Sequence, residues 1–130
     1  MQSVRQKNTS AESALRRELY ARGIRYRIHV PILTMPRRVA DVALRGLRVA
    51  VFVDGCFWHG CPAHATWPRH NAAFGRAKIE ANVARDHDTD ERLRADGWKV
   101  IRVWAHEEPK VAARRIAQIL ERRRERMRRP

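Results

Sequence analysis

The sequence predicts a mixed α/β fold, a central and partly parallel sheet with helices on both sides, and three observations carry that prediction. A β-rich run ending in "VFVD" is followed by a long helical stretch and then by the apolar run "WKVIRVW". Strand, helix and strand in that order imply a right-handed crossover between parallel neighbours. Two β-rich runs, "RRVADVAL" and "LRVAVFVD", are separated only by Arg45-Gly46, a connection short enough to close an antiparallel hairpin. Helical patterns flank this set at both ends. At 130 residues the chain is long enough for one core and too short for two comfortable ones, so a single domain over 1–130 is expected, its core about 9–120 with basic tails.

The first helix is read from "NTSAESALRRELYARG", with Thr9 and Glu12 fitting a capping box and Gly23 supplying a left-handed stop. Leu15 and Leu19 lie three and seven positions after Glu12, which places that carboxylate on the apolar face. Glu12 therefore either completes the cap or faces a site inside the fold. A strand at "RYRIHV" comes next. In the hairpin, pairing Leu44 with Leu47 sets Asp41 opposite Ala50 and puts Asp41, Phe52 and Asp54 on one sheet face. The helical run from Asn71 stops at Gly97, with an interruption expected near Gly75 or His87. Glu107, Glu108 and Pro109 open a last helix whose Val111, Ile116, Ile119 and Leu120 are expected to pack on the sheet, and "ERRRERMRRP" reads as a solvated or loosely helical charge run.

Lysine and arginine outnumber the acids 28 to 14, a formal charge of +14. An excess of that size attracts a polyanion, so nucleic acid is the first partner to consider, against the plainer reading of an arginine-rich soluble protein. No apolar run approaches the ~18–20 residues of a membrane span, and the N-terminus shows no apolar secretory segment, so a cytoplasmic protein with no membrane partner is expected.

The stretch "VFVDGCFWHGCPAH" concentrates most of the reactive side chains. Cys56, Cys61 and His64 offer three soft or borderline ligands in one tight loop. His106, just after the second strand of the crossover, is the best fourth ligand for a closed tetrahedral zinc site. Free thiols are the alternative. His59 is left over, held near the acids, where a restrained histidine can take a proton from water at neutral pH. Asp41, Asp54 and Glu12 are oxygen donors suited to magnesium, which with a nearby base supplies what phosphodiester attack needs. Phe57 and Trp58 stand side by side on a basic chain and are suited to wedging between base steps, unless Trp58 caps the core.

Taken together, "VADVAL", "RVAVFVDGCFWHGCPAH", "NAAFGRAKIEANVARD" and "LRADGWKVIRVWAHE" closely resemble the very-short-patch-repair (Vsr-type) DNA mismatch endonucleases, over roughly Thr9 to Glu108. The resemblance implies a restriction-endonuclease-like three-layer α/β/α fold with a central mixed sheet and a structural zinc. It implies a magnesium-dependent enzyme that nicks one strand of duplex DNA at a T:G mismatch, the product of 5-methylcytosine deamination. By matching position, Asp41 looks like the magnesium-binding aspartate, His59 like the histidine that activates water, and Glu12 like the helical glutamate of the site. Val53 falls where a backbone carbonyl meets magnesium. Cys56, Cys61, His64 and His106 fall on the structural zinc ligands, and Phe57 and Trp58 on the aromatics that enter the DNA. Lys78, Asn82 and Arg85 are expected to contact DNA. A bacterial, nucleoid-associated monomer that meets mismatch-repair proteins is the expectation that follows.

Four positions depart from familiar members: Asp54 stands where some carry histidine, Gly75 where a tryptophan is usual, Ala40 in place of proline before Asp41, and Ala105 in place of glutamate. Two other readings follow from these departures. One is a zinc-stapled module that binds distorted duplex without cutting, and the other a nickase with a different lesion or site.

Overall fold

The computed structural model describes residues 2–55 and 72–128. Seven elements follow in order: α1 (Gln2–Ala21), β1 (Arg27–Thr34), β2 (Arg37–Leu44), β3 (Val49–Asp54), α2 (Ala72–Ala95), β4 (Lys99–Trp104) and α3 (Pro109–Arg128). The strands form one sheet in the order β1-β2-β3-β4, antiparallel except for the parallel pair β3 and β4 that α2 connects. The mixed α/β reading therefore holds.

Helices cover both faces because alternate strand residues are apolar in both directions. On one face Val42, Leu44, Val49, Val51, Val53, Ile101 and Val103 meet Leu15 and Leu19 of α1 and Ala112, Ala113, Ile116 and Leu120 of α3. On the other, Ala43, Ala50, Phe52 and Val100 meet Leu93 of α2. β3 carries both sets and is buried throughout, as a strand between two helical layers must be.

Several expectations need correction. α1 begins at Gln2, so Thr9 lies inside the helix and not at its N-cap, and the Glu12 carboxylate lies near His29 and Arg16. Gly23 does end the segment, at φ +78°. β1 runs on to Thr34. Leu44 pairs with Val49, not Leu47, so Ala43 faces Ala50 and the connection is the four-residue turn Arg45–Arg48. Leu47 leaves the ladder to pack against the core, and the Arg123 Nε donates to its carbonyl at 2.8 Å. Because the slip is two residues, the side chains of β3 keep their faces, whereas on β2 the alternation breaks at Asp41, with Ala40 on the α2 side and Val42 on the other.

α2 is continuous through Gly75 and His87. It stops at Gly97, whose φ of +87° suits only glycine well. The N-terminus of α3 is capped by Glu108, which accepts the N–H groups of Lys110 and Val111, with Pro109 at the first helical position. That phase turns Val111 outward, 56 % exposed, and sets Ala112, Ala113, Ile116 and Leu120 inward. The charged stretch beyond Leu120 stays helical to Arg128.

Candidate active site

The pairing of β2 with β3 ends at Val42 and Val51, and the strands separate toward the carboxyl end of β3. In the opening, the Asp41 carboxylate replaces a ladder bond by accepting the Val53 N–H at 2.7 Å. A strand residue projects its N–H and C=O toward the same neighbour, so the Val53 carbonyl faces the same side as Asp41.

Glu12 comes to this point from α1. It is 8 % exposed, on the helix face shared with Leu15 and Leu19, so the inward placement read from sequence is correct. Its Oε2 lies 3.1 Å from His29 Nε2 and 3.5 Å from Arg16 Nη1. His29, not singled out by the sequence reading, occupies the position between the paired residues Ile28 and Val30 of β1, across from Asp41. Its φ of +49° is a left-handed conformation that histidine tolerates better than most residues. Glu12, His29 and Asp41 each offer a ligand atom, and these atoms all lie within 4.8 Å of one another.

The charge is crowded. Burial, opposed by the Val53 N–H and reinforced by Glu12 and Asp54, pushes the Asp41 carboxyl up from 3.8 to about 7. Such a group either holds a proton or waits for a cation. Two carboxylates and an imidazole at this spacing fit a hard divalent ion, whose charge would offset that of the crowded carboxylates.

Asp54 is placed differently from a simple ligand. At 6 % exposure, its two oxygens accept from one Arg102 nitrogen, Nη1, at 3.0 and 3.2 Å. Arg102 also donates to Asp90 from Nη2 and Nε at 2.7 and 3.1 Å and lies 3.5 Å from an Asp86 oxygen. Burial works against that charge, yet Asp90, Asp54 and Asp86 together leave its pKa raised. The sequence reading missed Arg102. Its signal was a charged residue alternating with the buried Ile101 and Val103, hence on the face opposite theirs.

Asp41, Asp54 and Arg102 line a cleft of roughly 300 Å³ together with Arg37, Arg38 and Arg85. Arg38 reaches from β2 to α2, donating to Thr89 Oγ at 2.8 Å and to Asp88 at 3.4 Å. Of the expected DNA contacts, Arg85 is at this cleft, exposed Lys78 lies on the same helix, and Asn82 is half-buried between them. His106 is exposed in the turn after β4. Cys56, Phe57, Trp58, His59, Cys61 and His64 lie outside the described residues.

The chain is 39% identical over 123 residues to the type II nicking enzyme V.NaeI of Lentzea aerocolonigenes, covering 92% of this chain and 74% of that protein. It is 40% identical over 105 residues to the type II nicking enzyme V.XorIIP of Xanthomonas oryzae pv. oryzae, covering 80% and 75%. The family described as DNA mismatch endonuclease Vsr matches residues 1–64. The chain belongs to the Vsr endonuclease family. A third Vsr-like relative, the type II nicking enzyme V.NmeDIP of Neisseria meningitidis serogroup C, is 39% identical over 114 residues, 82% of this chain and 72% of its own. The Vsr match spans α1, the three antiparallel strands and the cysteine-containing sequence up to His64, and thus takes in Glu12, His29 and Asp41. Among the described residues no helix is long and apolar enough to cross a membrane.

Proposed function

We propose that this protein is a divalent-metal-dependent endonuclease that nicks one strand of duplex DNA at a T:G mismatch. The observation that carries the reading is the convergence of Glu12, His29 and Asp41 within 4.8 Å, on a chain of charge +14 that belongs to the Vsr family. The names of its relatives as nicking enzymes support a single-strand cut.

Asp41, the Val53 carbonyl and Glu12 would hold magnesium at the parting of β2 and β3. When bound, the ion polarises a phosphoryl oxygen and relieves charge on the leaving oxygen. His59 takes the proton from the attacking water. Asp54 belongs to the same centre, held by Arg102. Cys56, Cys61, His64 and His106 would hold zinc, which would tie the segment after β3 to the turn after β4. Those two strands are parallel neighbours paired to their last residues, Asp54 and Trp104, so their exits lie side by side. Phe57 and Trp58 enter the stack, and Lys78, Asn82 and Arg85 engage the phosphates beside the cleft.

The test is a nicking assay on matched and T:G duplexes in magnesium. Preferential nicking of the T:G duplex is expected, and it should vanish in Asp41→Ala and His59→Ala. Equal cutting of both duplexes would remove the mismatch specificity. Tight binding without any cut, in magnesium or manganese, would favour the binding-module reading instead. A panel of other mismatches separates a changed lesion preference, which Gly75 at the usual tryptophan position makes worth testing.

A further inference from the structure

The metal-holding groups named so far, Asp41, Glu12 and the Val53 carbonyl, leave His29 without a role. β1 and β2 both depart from regular strand geometry at the rung where His29 faces Asp41. On β2, regular alternation would put Ala40 and Val42 on one face, yet Ala40 packs on the α2 side and Val42 on the opposite side. On β1, the pairs of Ile28 with Val42 and Val30 with Ala40 bracket His29, whose φ of +49° is left-handed. The two departures meet at one place. A ring nitrogen of His29, an oxygen of Asp41 and an oxygen of the inward-facing Glu12 all lie within 4.8 Å of one another.

An ion with bonds of about 2.1 Å needs its ligand atoms within roughly 4.2 Å of one another, so an adjustment of at most ~0.6 Å closes this set. The His29 side chain is 57 % exposed, and packing does not oppose such a movement. A plainer role for the imidazole, offsetting the charge of Glu12, is already served by Arg16, whose Nη1 stands 3.5 Å from the same Oε2 that His29 Nε2 meets at 3.1 Å.

We propose that His29 is a ligand of the divalent ion, adding an imidazole nitrogen to the carboxylates of Glu12 and Asp41. The inference rests on the reading of Asp41 as a metal ligand, and its test separates the two. First-row transition ions accept imidazole nitrogen more readily than magnesium, which favours oxygen donors, so a centre built this way prefers manganese to magnesium.

Manganese is titrated into the full chain without DNA, binding is followed by the loss of the free-ion electron paramagnetic resonance signal, and the bound ion is probed by electron spin echo modulation for a directly bonded nitrogen. The wild type binds manganese, shows that nitrogen coupling, and yields the ion to magnesium only at a large excess. Asp41→Asn does not bind. His29→Gly, chosen because glycine is at ease at a positive φ, still binds through the carboxylates. Its affinity falls about tenfold or more, at least the loss typical of disturbing a ligand's support, its nitrogen coupling disappears, and magnesium competes better than in the wild type.

If Asp41→Asn leaves manganese binding intact, the Asp41 metal site is wrong. If Asp41→Asn abolishes binding but the wild type shows no nitrogen coupling, or the coupling persists in His29→Gly, His29 is not a ligand and the proposal is overturned. Should His29→Gly fail to fold by circular dichroism, His29→Asn, which also tolerates the left-handed conformation, takes its place. It should bind manganese without nitrogen coupling, and retained coupling would overturn the proposal in the same way.

Discussion

The Asp41 carboxylate accepts the Val53 N–H at 2.7 Å, joining β2 to β3 beyond the point where their own pairing has ended. One side chain thus both closes a backbone gap and brings its oxygens, with those of Glu12, to one point. This double duty explains why a buried acid is tolerated at a place where its ionised form is disfavoured.

That cost is measurable. The folded chain holds the Asp41 proton up to about pH 7, whereas the unfolded chain loses it near 3.8. Between those values the folded state binds more protons, so this group's contribution to stability falls as pH rises and levels off above about 7. Asp41→Asn, melted in buffer without magnesium, should lose that slope and gain on the order of 1–2 kcal/mol at pH 8 relative to pH 5 when compared with the wild type. An unchanged pH slope would mean that Asp41 ionises normally.

Magnesium should reverse the penalty. At pH 8, a concentration about 100 times the dissociation constant stabilises the fold by about 2.7 kcal/mol, visible as a raised melting temperature. The same addition should leave Asp41→Asn unmoved. Glu12→Gln should weaken the response and slow nicking about 100-fold or more, with duplex binding little changed. Full activity in Glu12→Gln would return that residue to a packing role.

Zinc content is expected to be near one ion per chain by elemental analysis of protein purified without chelator. His106→Ala and Cys61→Ser should each lower it and destabilise the fold, since a closed structural site contributes folding energy. A metal-free preparation that melts like the wild type would remove the clip.

Duplex affinity should fall steeply between ~50 and 200 mM salt, as phosphate contacts release counterions. Arg85→Ala and Lys78→Ala should each reduce the slope by about one. No change in slope would move the docking face away from α2.

Gly97→Ala should cost about 1 kcal/mol in denaturant melts, because alanine is strained at φ +87° even where space is available. Its nicking activity at low temperature should be unaffected.

Much of this arrangement is local and was therefore readable along the chain. The spacing of Glu12 to Leu15 and Leu19 put the acid on the inner face of α1, and the alternation around Phe52 and Asp54 assigned their sheet face even though the turn was two residues longer than expected. Side-chain periodicity depends only on neighbours, and a two-residue slip preserves it. The family likeness pointed to Asp41 for the same reason, as a short motif carried on one strand.

What sequence could not supply were meetings between distant segments. His29 reaches Glu12 across 17 positions through a left-handed residue in β1, and Arg102 reaches Asp54 across 48 because β4 lies parallel to β3. No periodicity encodes which charges become neighbours once a crossover is made. The chain order determined which acids face inward, and only the closing of the sheet decided that Arg102 holds one of them and leaves the other two beside His29.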